Sequence, residues 1–193
     1  VTLEASQDSG DEPFGKKTDH PDPDTKLFSM TFNGPIIKDK LFFSLGYEKY
    51  EASDPLSMLA FQSGLVTKSE ADAVIKAAQD VIGYDAGSYN KAREEEDEKT
   101  FIRLDANLSD NHNLTFTYNL TEGFTESAYF NRTWGLPLSS DWYRINKEYE
   151  SMKLELNSDW TDNFSTKILI SDTDVSNPNT PVGATTIGEV GIR

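Results

Sequence analysis

Side chains that could carry out catalysis are few in this chain and lie far apart. The two histidines, His20 and His112, stand in a polar loop and in a predicted turn, with no partner set nearby. General acid–base catalysis needs such a set, and a lone turn histidine is far more often a solvated residue. The chain has no Cys, no glycine-rich phosphate loop, no HExxH and no nucleophile elbow. The sequence therefore predicts a protein that is not an enzyme.

One short acidic segment offers oxygen ligands for a metal ion. The run DHPDPD places Asp19, Asp22 and Asp24 close together, and Ca²⁺ prefers carboxylate oxygens. The spacing does not match an EF-hand loop, and Pro21 and Pro23 suit a stiff exposed loop. We therefore expect a solvated loop here, with a calcium site as the alternative and no other cofactor.

A polar segment rich in aromatic residues is the candidate ligand-binding surface. Aromatic side chains give contact area at a low cost in conformational entropy, and loops often carry binding residues. The alternative is that these rings pack loops against one another. The candidate residues are Tyr129, Phe130, Trp134, Trp142 and Tyr143.

Charge and hydropathy limit the partners of the chain. Its 193 residues carry a formal net charge of −15, whereas binding to nucleic acid needs a basic surface. No apolar run approaches the roughly 20 residues of a transmembrane helix. No signal peptide is visible, and the two ends, VTLEASQDSG and IGEVGIR, lead us to expect a fragment or a mature chain. Nucleic acid is therefore not an expected partner.

Three segments alternate between apolar and polar residues on both sides of a short turn. In RLDANLSDNHNLTFTYNL, apolar residues occupy every second position before and after residues 109–112. Successive strand side chains point to opposite faces, so each segment predicts an antiparallel hairpin with one apolar and one polar face. The predicted strands run over about 27–33, 41–49, 100–108, 113–121, 150–158, 164–171 and 187–193.

Long polar segments separate these hairpins. We expect residues 51–98 to form one long loop and residues 121–148 another, and long loops usually carry function. Inside the first loop, apolar residues at helical spacing predict a helix at about 69–82, with Ser69 as its N-cap and Gly83 at its end. The acidic run REEEDEK is expected to be a mobile loop end.

Short turns that alternate with long loops indicate an up-and-down sheet with all its short turns at one edge. This asymmetry is typical of outer-membrane barrels, whose tilted strands need about 9–11 residues to cross the bilayer. In such a barrel the apolar face contacts lipid and the polar face lines an aqueous lumen. The predicted lumen-facing residues are Arg103, Asp105, Lys153, Glu155 and Lys167.

Two other architectures fit the same alternation. In a soluble β-sandwich, such as a lectin-like binding module, the apolar face would be a core, and a core excludes charge as lipid does. A small complete outer-membrane barrel of eight strands would require the first and last strands to pair. The pattern alone leaves both alternatives open.

Several segments also resemble a known family. FNGPIIKDKLFFSLGYE, SDWTDNFST and the closing NPNTPVGATTIGEVGIR resemble the barrel of TonB-dependent outer-membrane receptors of the Oar-like branch. The resemblance begins near Lys26, and Asn33 stands where the family usually has Gly. It implies that the chain is part of a barrel of about 22 strands in a bacterial outer membrane.

The resemblance also implies a function and partners. Such receptors import a scarce substrate, for example a siderophore, a peptide or an oligosaccharide, with energy from the inner-membrane TonB complex. The implied partners are outer-membrane lipid, the remaining barrel strands, a plug domain and, through the plug, the TonB complex. Neither the plug nor a TonB-contacting segment is visible in this sequence, and no residue selects among the substrates.

Overall fold

The chain forms one antiparallel sheet with a few short helices. The computed structural model describes residues 2–9, 24–55, 59–128 and 135–183. Within them lies an eight-stranded sheet in which the first seven strands follow one another in chain order. The eighth strand pairs with the sixth and continues the line of the seventh. The prediction of an all-β, up-and-down antiparallel sheet is confirmed.

The strands are longer than the sequence alternation predicts. In chain order the elements are β1 (Thr2–Ser9), β2 (Asp24–Ile37), β3 (Leu41–Pro55), α1 (Leu59–Gln62), α2 (Lys68–Ile82), β4 (Ala92–Ser109), β5 (His112–Ala128), a 3-10 turn (Ser139–Asp141), β6 (Trp142–Thr161), β7 (Phe164–Ser176) and β8 (Asn179–Pro181). The predicted strand 150–158, for example, is the second half of the 20-residue β6. The predicted strand 187–193 lies outside the described residues.

The long loops are correspondingly shorter than expected. Residues 51–55 and 92–98 belong to β3 and β4, and residues 121–128 and 142–148 belong to β5 and β6. The acidic run REEEDEK lies inside β4 and mostly pairs with strands on both sides, so its prediction as a mobile loop end is wrong. The prediction failed because a run of charged residues indicates contact with solvent. A strand that lies far from an apolar core has such contact as much as a loop has.

All short turns lie at one edge of the sheet. Residues 38–40, 110–111 and 162–163 join β2 to β3, β4 to β5 and β6 to β7. The described parts of the two longer connections, 59–91 and 135–141, lie at the opposite edge. The two edges therefore differ in the way that the sequence predicts.

The strand register shows which side chains share a face. Leu104 stands directly opposite Phe43 on one side and Phe116 on the other. Because neighbouring residues of a strand point to opposite faces, Arg103 lies behind Leu104. We call the side that carries Leu104 the apolar face and the side that carries Arg103 the polar face. One full cross-strand row of the apolar face is Gly34, Phe43, Leu104, Phe116, Leu154 and Ile170.

A single layer forms the described part of the sheet, and no second sheet covers its apolar face there. On that face Leu154 is 40% exposed and Ile170 is 65% exposed. The buried apolar residues of the described chain lie near its loops instead, at Ala60, Ala71, Ala86 and Trp142. The apolar face is thus an exposed surface and not half of a core.

Helix α2 begins with a capping box. The Thr67 hydroxyl accepts from the Glu70 N–H at 3.3 Å, and the Glu70 carboxylate accepts from the Thr67 N–H at 2.8 Å. The prediction of Ser69 as the cap is therefore wrong, because Thr67 has the glutamate three residues on that a box needs. Gly83 ends the helix in the left-handed conformation, at φ 66°.

Candidate functional site

The predicted lumen-facing residues lie together on the polar face. Arg103 donates to the two carboxylate oxygens of Asp105 at 2.7 and 2.8 Å. Lys153 and Lys167 flank Glu155 at 3.1 and 2.8 Å. The sequence period places these five side chains on one face, and the structure adds that they form two ion-paired groups, one within β4 and one across β6 and β7, with β5 between them.

Hydroxyl and amide side chains extend this polar network. Thr115 donates to Asp105 at 2.8 Å, and Asn157 donates to Glu155 at 3.0 Å. At the turn edge, Asn107 donates to the Asp39 carbonyl at 3.0 Å. On each strand these polar residues lie an even number of positions from the charged ones, so the alternation in the sequence already places them on the same face. The network gives carboxylates cationic and neutral donors on a surface suited to contact with water.

The apolar face carries a continuous band behind this polar network. The band lies in the half of the sheet nearest the short turns, and it narrows from four rows on β5 (Leu114 to Leu120) to two rows on β7 (Ile168 and Ile170). Each strand then reaches a first charged residue on this face. From β2 to β7 these residues are Lys26, Lys49, Glu98, Glu122, Glu150 and Asp172.

Aromatic side chains mark both limits of the band. Trp160 and Phe164, each 57% exposed, flank the turn between β6 and β7, and Trp160 contacts the His112 ring at 4.9 Å between centroids. At the other limit, the Tyr118 hydroxyl donates to Glu150 at 3.0 Å. Amphipathic rings favour the boundary between an apolar layer and water.

Beyond the band, the long strands end in a buried cluster beneath the loops. Trp142 is 1% exposed, and the side chains packed against it come from both long connections and from the chain near β8. These side chains are Phe61, Tyr89, Ala128, Leu136 and Val182. Phe61 and Tyr89 meet edge to face at 5.1 Å. The described core thus holds loops onto strands.

A buried carboxylate lies beside Trp142. Glu126 is 1% exposed and accepts from Lys91 at 3.1 and 3.2 Å, from Arg144 at 3.1 and 3.2 Å, and from the Glu94 N–H at 3.1 Å. A buried charge is tolerated when it is paired and hydrogen-bonded in this way. Sequence reasoning missed Glu126, because its partners lie 18 to 35 residues away and no local pattern indicates them.

The candidate ligand-binding aromatics are placed only in part. Tyr129, Phe130 and Trp134 lie outside the described residues. Tyr143 is half-buried at the start of β6, whereas the burial of Trp142 contradicts its predicted part in a ligand-contacting surface. Trp142 instead packs loops together, because a large ring next to a loop junction is the side chain that gains most from burial there.

The predicted calcium ligands do not form a described site. Asp19 and Asp22 lie outside the described residues, and Asp24 begins β2 with its carboxylate 3.6 Å from the Lys26 ammonium. Within the described ranges no group of three or more acidic, His or Cys side chains could hold a metal ion.

Comparison with protein-family models, curated proteins and solved structures finds no match to this chain. Among the described residues, no helix combines the length and the hydropathy needed to cross a bilayer. The functional argument therefore depends on the two faces of the sheet and on the motifs of the sequence.

Proposed function

We propose that this chain is a segment of an outer-membrane β-barrel that belongs to a TonB-dependent receptor. The receptor would take up a scarce substrate, such as a siderophore, a peptide or an oligosaccharide. The observation that carries the proposal is an exposed apolar band on a single-layered sheet, backed at the same level by a network of ion pairs. A soluble domain would cover such a band, because a large exposed apolar surface is costly in water.

The limit of the band runs obliquely across the sheet. In the cross-strand rows, the first charged residue moves three rows toward the turn edge between Lys26 of β2 and Asp172 of β7. Three rows are about 20 Å along a strand, and five strand spacings are about 24 Å across the sheet. If this limit is a membrane surface perpendicular to the barrel axis, the strands must tilt by about 40° from that axis. This angle falls in the range of transmembrane barrels.

The thickness of the band agrees with a bilayer. On β6, Trp160 and Glu150 mark the two limits and are ten residues apart, about 34 Å along the strand. At a tilt of about 40° this length spans about 26 Å, close to the apolar height of about 25 Å typical of outer-membrane barrels. The tilt comes from Lys26 and Asp172, and the length along β6 comes from Trp160 and Glu150. Together they give a thickness that fits a bilayer, which supports the apolar face as the surface that contacts lipid.

The open edges of the sheet support the expectation of a larger barrel. Within the described residues, β1 and β7 are the two edges and do not pair with each other. Unpaired backbone groups at membrane depth are costly, so strands from elsewhere would complete the barrel. Arg103, Asp105, Lys153, Glu155 and Lys167 would then face the aqueous lumen and the plug domain.

The assignment to TonB-dependent receptors has a separate basis. It rests on the resemblance of segments such as FNGPIIKDKLFF and SDWTDNFST to that family. Both segments lie around short turns, between β2 and β3 and between β6 and β7. No bond chemistry is required of the chain in this function, since loops capture the substrate and the TonB complex supplies energy.

Spin-label accessibility tests which face contacts lipid. The chain has no Cys, so it adds no background to single cysteines introduced into it, and any Cys in the rest of the receptor is first replaced by Ser. Labels at Leu104 and Phe116 should collide with oxygen, which concentrates in hydrocarbon, while labels at Arg103 and Thr117 should collide with a water-soluble nickel complex. A label at Glu122, above the band on the apolar face, should respond to nickel.

The outcomes separate the alternatives. In a β-sandwich, labels at Leu104 and Phe116 would be inaccessible to both reagents, and the lipid assignment would be lost. The transport function has its own test, which is uptake by cells with and without a functional TonB protein. A barrel that shows the expected accessibility but no TonB-dependent uptake of ferric siderophores, peptides, oligosaccharides or cobalamin would retain the fold proposal and overturn the receptor proposal.

A further inference from the structure

We propose that the loops around Trp142 form a fixed module on the outer wall of the barrel and do not act as a lid over the lumen. We call this set of residues the outer loop module: 59–62, 86–91, 135–141 and 182–183. The term "outer" rests on the proposed function, because that proposal makes the apolar face the outside. The rigidity of the module is argued from contacts alone.

The register places the module on the apolar face. Trp142 pairs with Ala128, and from there to Leu154 and Phe116 the β5–β6 pairing continues without a shift. Side chains an even number of residues apart on one strand share a face. Trp142, Arg144 and Glu126 therefore point to the same side as the lipid-facing band, only farther along the strands. The loops that cover Trp142 pack on that side too.

Two close approaches join the connections to one another. A Cβ at Gly87 would lie 2.2 Å from the Ser139 hydroxyl, and a Cβ at Gly183 would lie 2.3 Å from the Ser140 carbonyl oxygen. The Ser139 N–H donates to the Ser88 carbonyl at 3.0 Å, and the Ser88 N–H donates to the Ser139 hydroxyl at 2.9 Å. The short 3-10 turn is thus held between two glycines.

The buried Glu126 joins this assembly to the wall. Lys91 comes from the connection after α2, whereas Arg144 and the Glu94 backbone belong to β6 and β4. A swing of the loops toward the polar face would remove Lys91 from the carboxylate and expose Trp142. Lids come from the least stable parts of a protein. The outer loop module is instead held by a buried ion pair and an aromatic core, so we expect it to open rarely.

The polar side of the sheet is consequently left open by the module. Substrate that reaches the lumen would pass without displacing these loops, and any closing segment must come from another part of the receptor. The module would serve as a rigid support that keeps the ends of the long strands in register above the membrane.

Hydrogen exchange in the complete receptor that contains this chain, folded in lipid bilayers, tests this proposal without a substrate. We expect the amides of Ser88, Ser139 and Val182 to exchange as slowly as the paired amides at the loop ends of β5 and β6. Glu126→Gln should speed exchange of these three amides and leave the band region of β5 unchanged. Glu122→Gln is the matched control, because Glu122 is exposed on the same strand and face, and it should change neither.

Exchange of the module amides at the rates of unstructured loops would overturn the proposal. A second measurement uses a disulfide between Ser88→Cys and Ser139→Cys. In a medium in which cells need the receptor to grow, the oxidised variant should support the same growth rate as the reduced one and as Ser88→Cys alone. Growth lost on oxidation and restored by reductant would show a moving lid. A failed spin-label test would overturn the proposal that the chain belongs to a barrel. The exchange and disulfide experiments test only whether the outer loop module is rigid.

Discussion

The strongest energetic consequence of a lipid-facing band concerns Leu154 on β6. Leu154 stands four residues from Glu150 at one limit and six from Trp160 at the other, near mid-depth. At a tilt of about 40°, four residues place it roughly 10 Å below the Glu150 level. Leu154→Arg should therefore lower the free energy of unfolding by close to the full cost of an arginine at the bilayer midplane, which is about 2–4 kcal/mol.

The loss of free energy of unfolding caused by an arginine should depend on its position along β6. Met152→Arg lies on the same face one row closer to the limit and should cost less, and Glu150→Arg should cost about 0–1 kcal/mol, the value near the interface. Asn119→Arg, on the polar face between Phe101 and Ser151 at about the level of Met152, is the matched control for adding an arginine and should be close to neutral.

Equilibrium unfolding in denaturant, with the protein folded into lipid vesicles, measures these free energies of unfolding. A graded loss in the order Leu154, Met152 and Glu150 is the expected result. Equal losses at Leu154 and Met152 would point to burial in a protein core, and the absence of any loss at Leu154 would mean that the band faces water. Either result would refute the reasoning.

Three further predictions concern the strands beyond the band and helix α2. Gly123→Ala should destabilise the β4–β5 pair, because a Cβ there would lie 2.2 Å from the Glu96 carbonyl oxygen. Denaturant unfolding measures this loss, and an unchanged free energy of unfolding would contradict the prediction. Glu122 stands between Glu98 and Glu148 in one row, so Glu122→Lys should raise the free energy of unfolding by about 0.2–1 kcal/mol, and a decrease would contradict this. The Thr67 backbone N–H, which donates to Glu70, lowers the pKa of that carboxyl. Its contribution to α2 is therefore present above the ordinary pKa and is lost as the pH falls through the lowered value. The protection of the α2 amides, relative to their intrinsic exchange rates at each pH, should fall on acidification, and Glu70→Gln should remove that dependence.

The sequence predicts the part of the fold in which one face differs from the other. Leu104 and Arg103 alternate because one contacts an apolar medium and the other a polar one, and this local pattern also fixes the short turns. Beyond Glu98 charged residues stand on both faces of β4, so the alternation disappears and the sequence resembles that of a charged loop. Strand length was therefore underestimated mainly at the loop edge, although β2 and β6 also run four and three residues farther toward the short turns than predicted.

The loop cluster could not be predicted for a different reason. Glu126 and Trp142 are defined by contacts between segments far apart in the chain, and neither stands in a periodic pattern. Ser69 and Thr67 show the same limit at short range, since both residues can cap a helix and only the position of Glu70 separates them.

The most direct test of the central claim compares two neighbouring residues of β5. Phe116→Trp and Thr117→Trp place an indole on opposite faces at the same level, in a receptor in which Trp134, Trp160 and every Trp outside this chain are replaced by Phe. Trp142, buried beneath the loops, stays as an internal reference. In vesicles of brominated lipid, fluorescence of the Phe116→Trp protein should be strongly quenched and that of Thr117→Trp should not. Equal quenching at the two positions, or none at Phe116→Trp, would contradict the claim that the apolar face contacts the membrane.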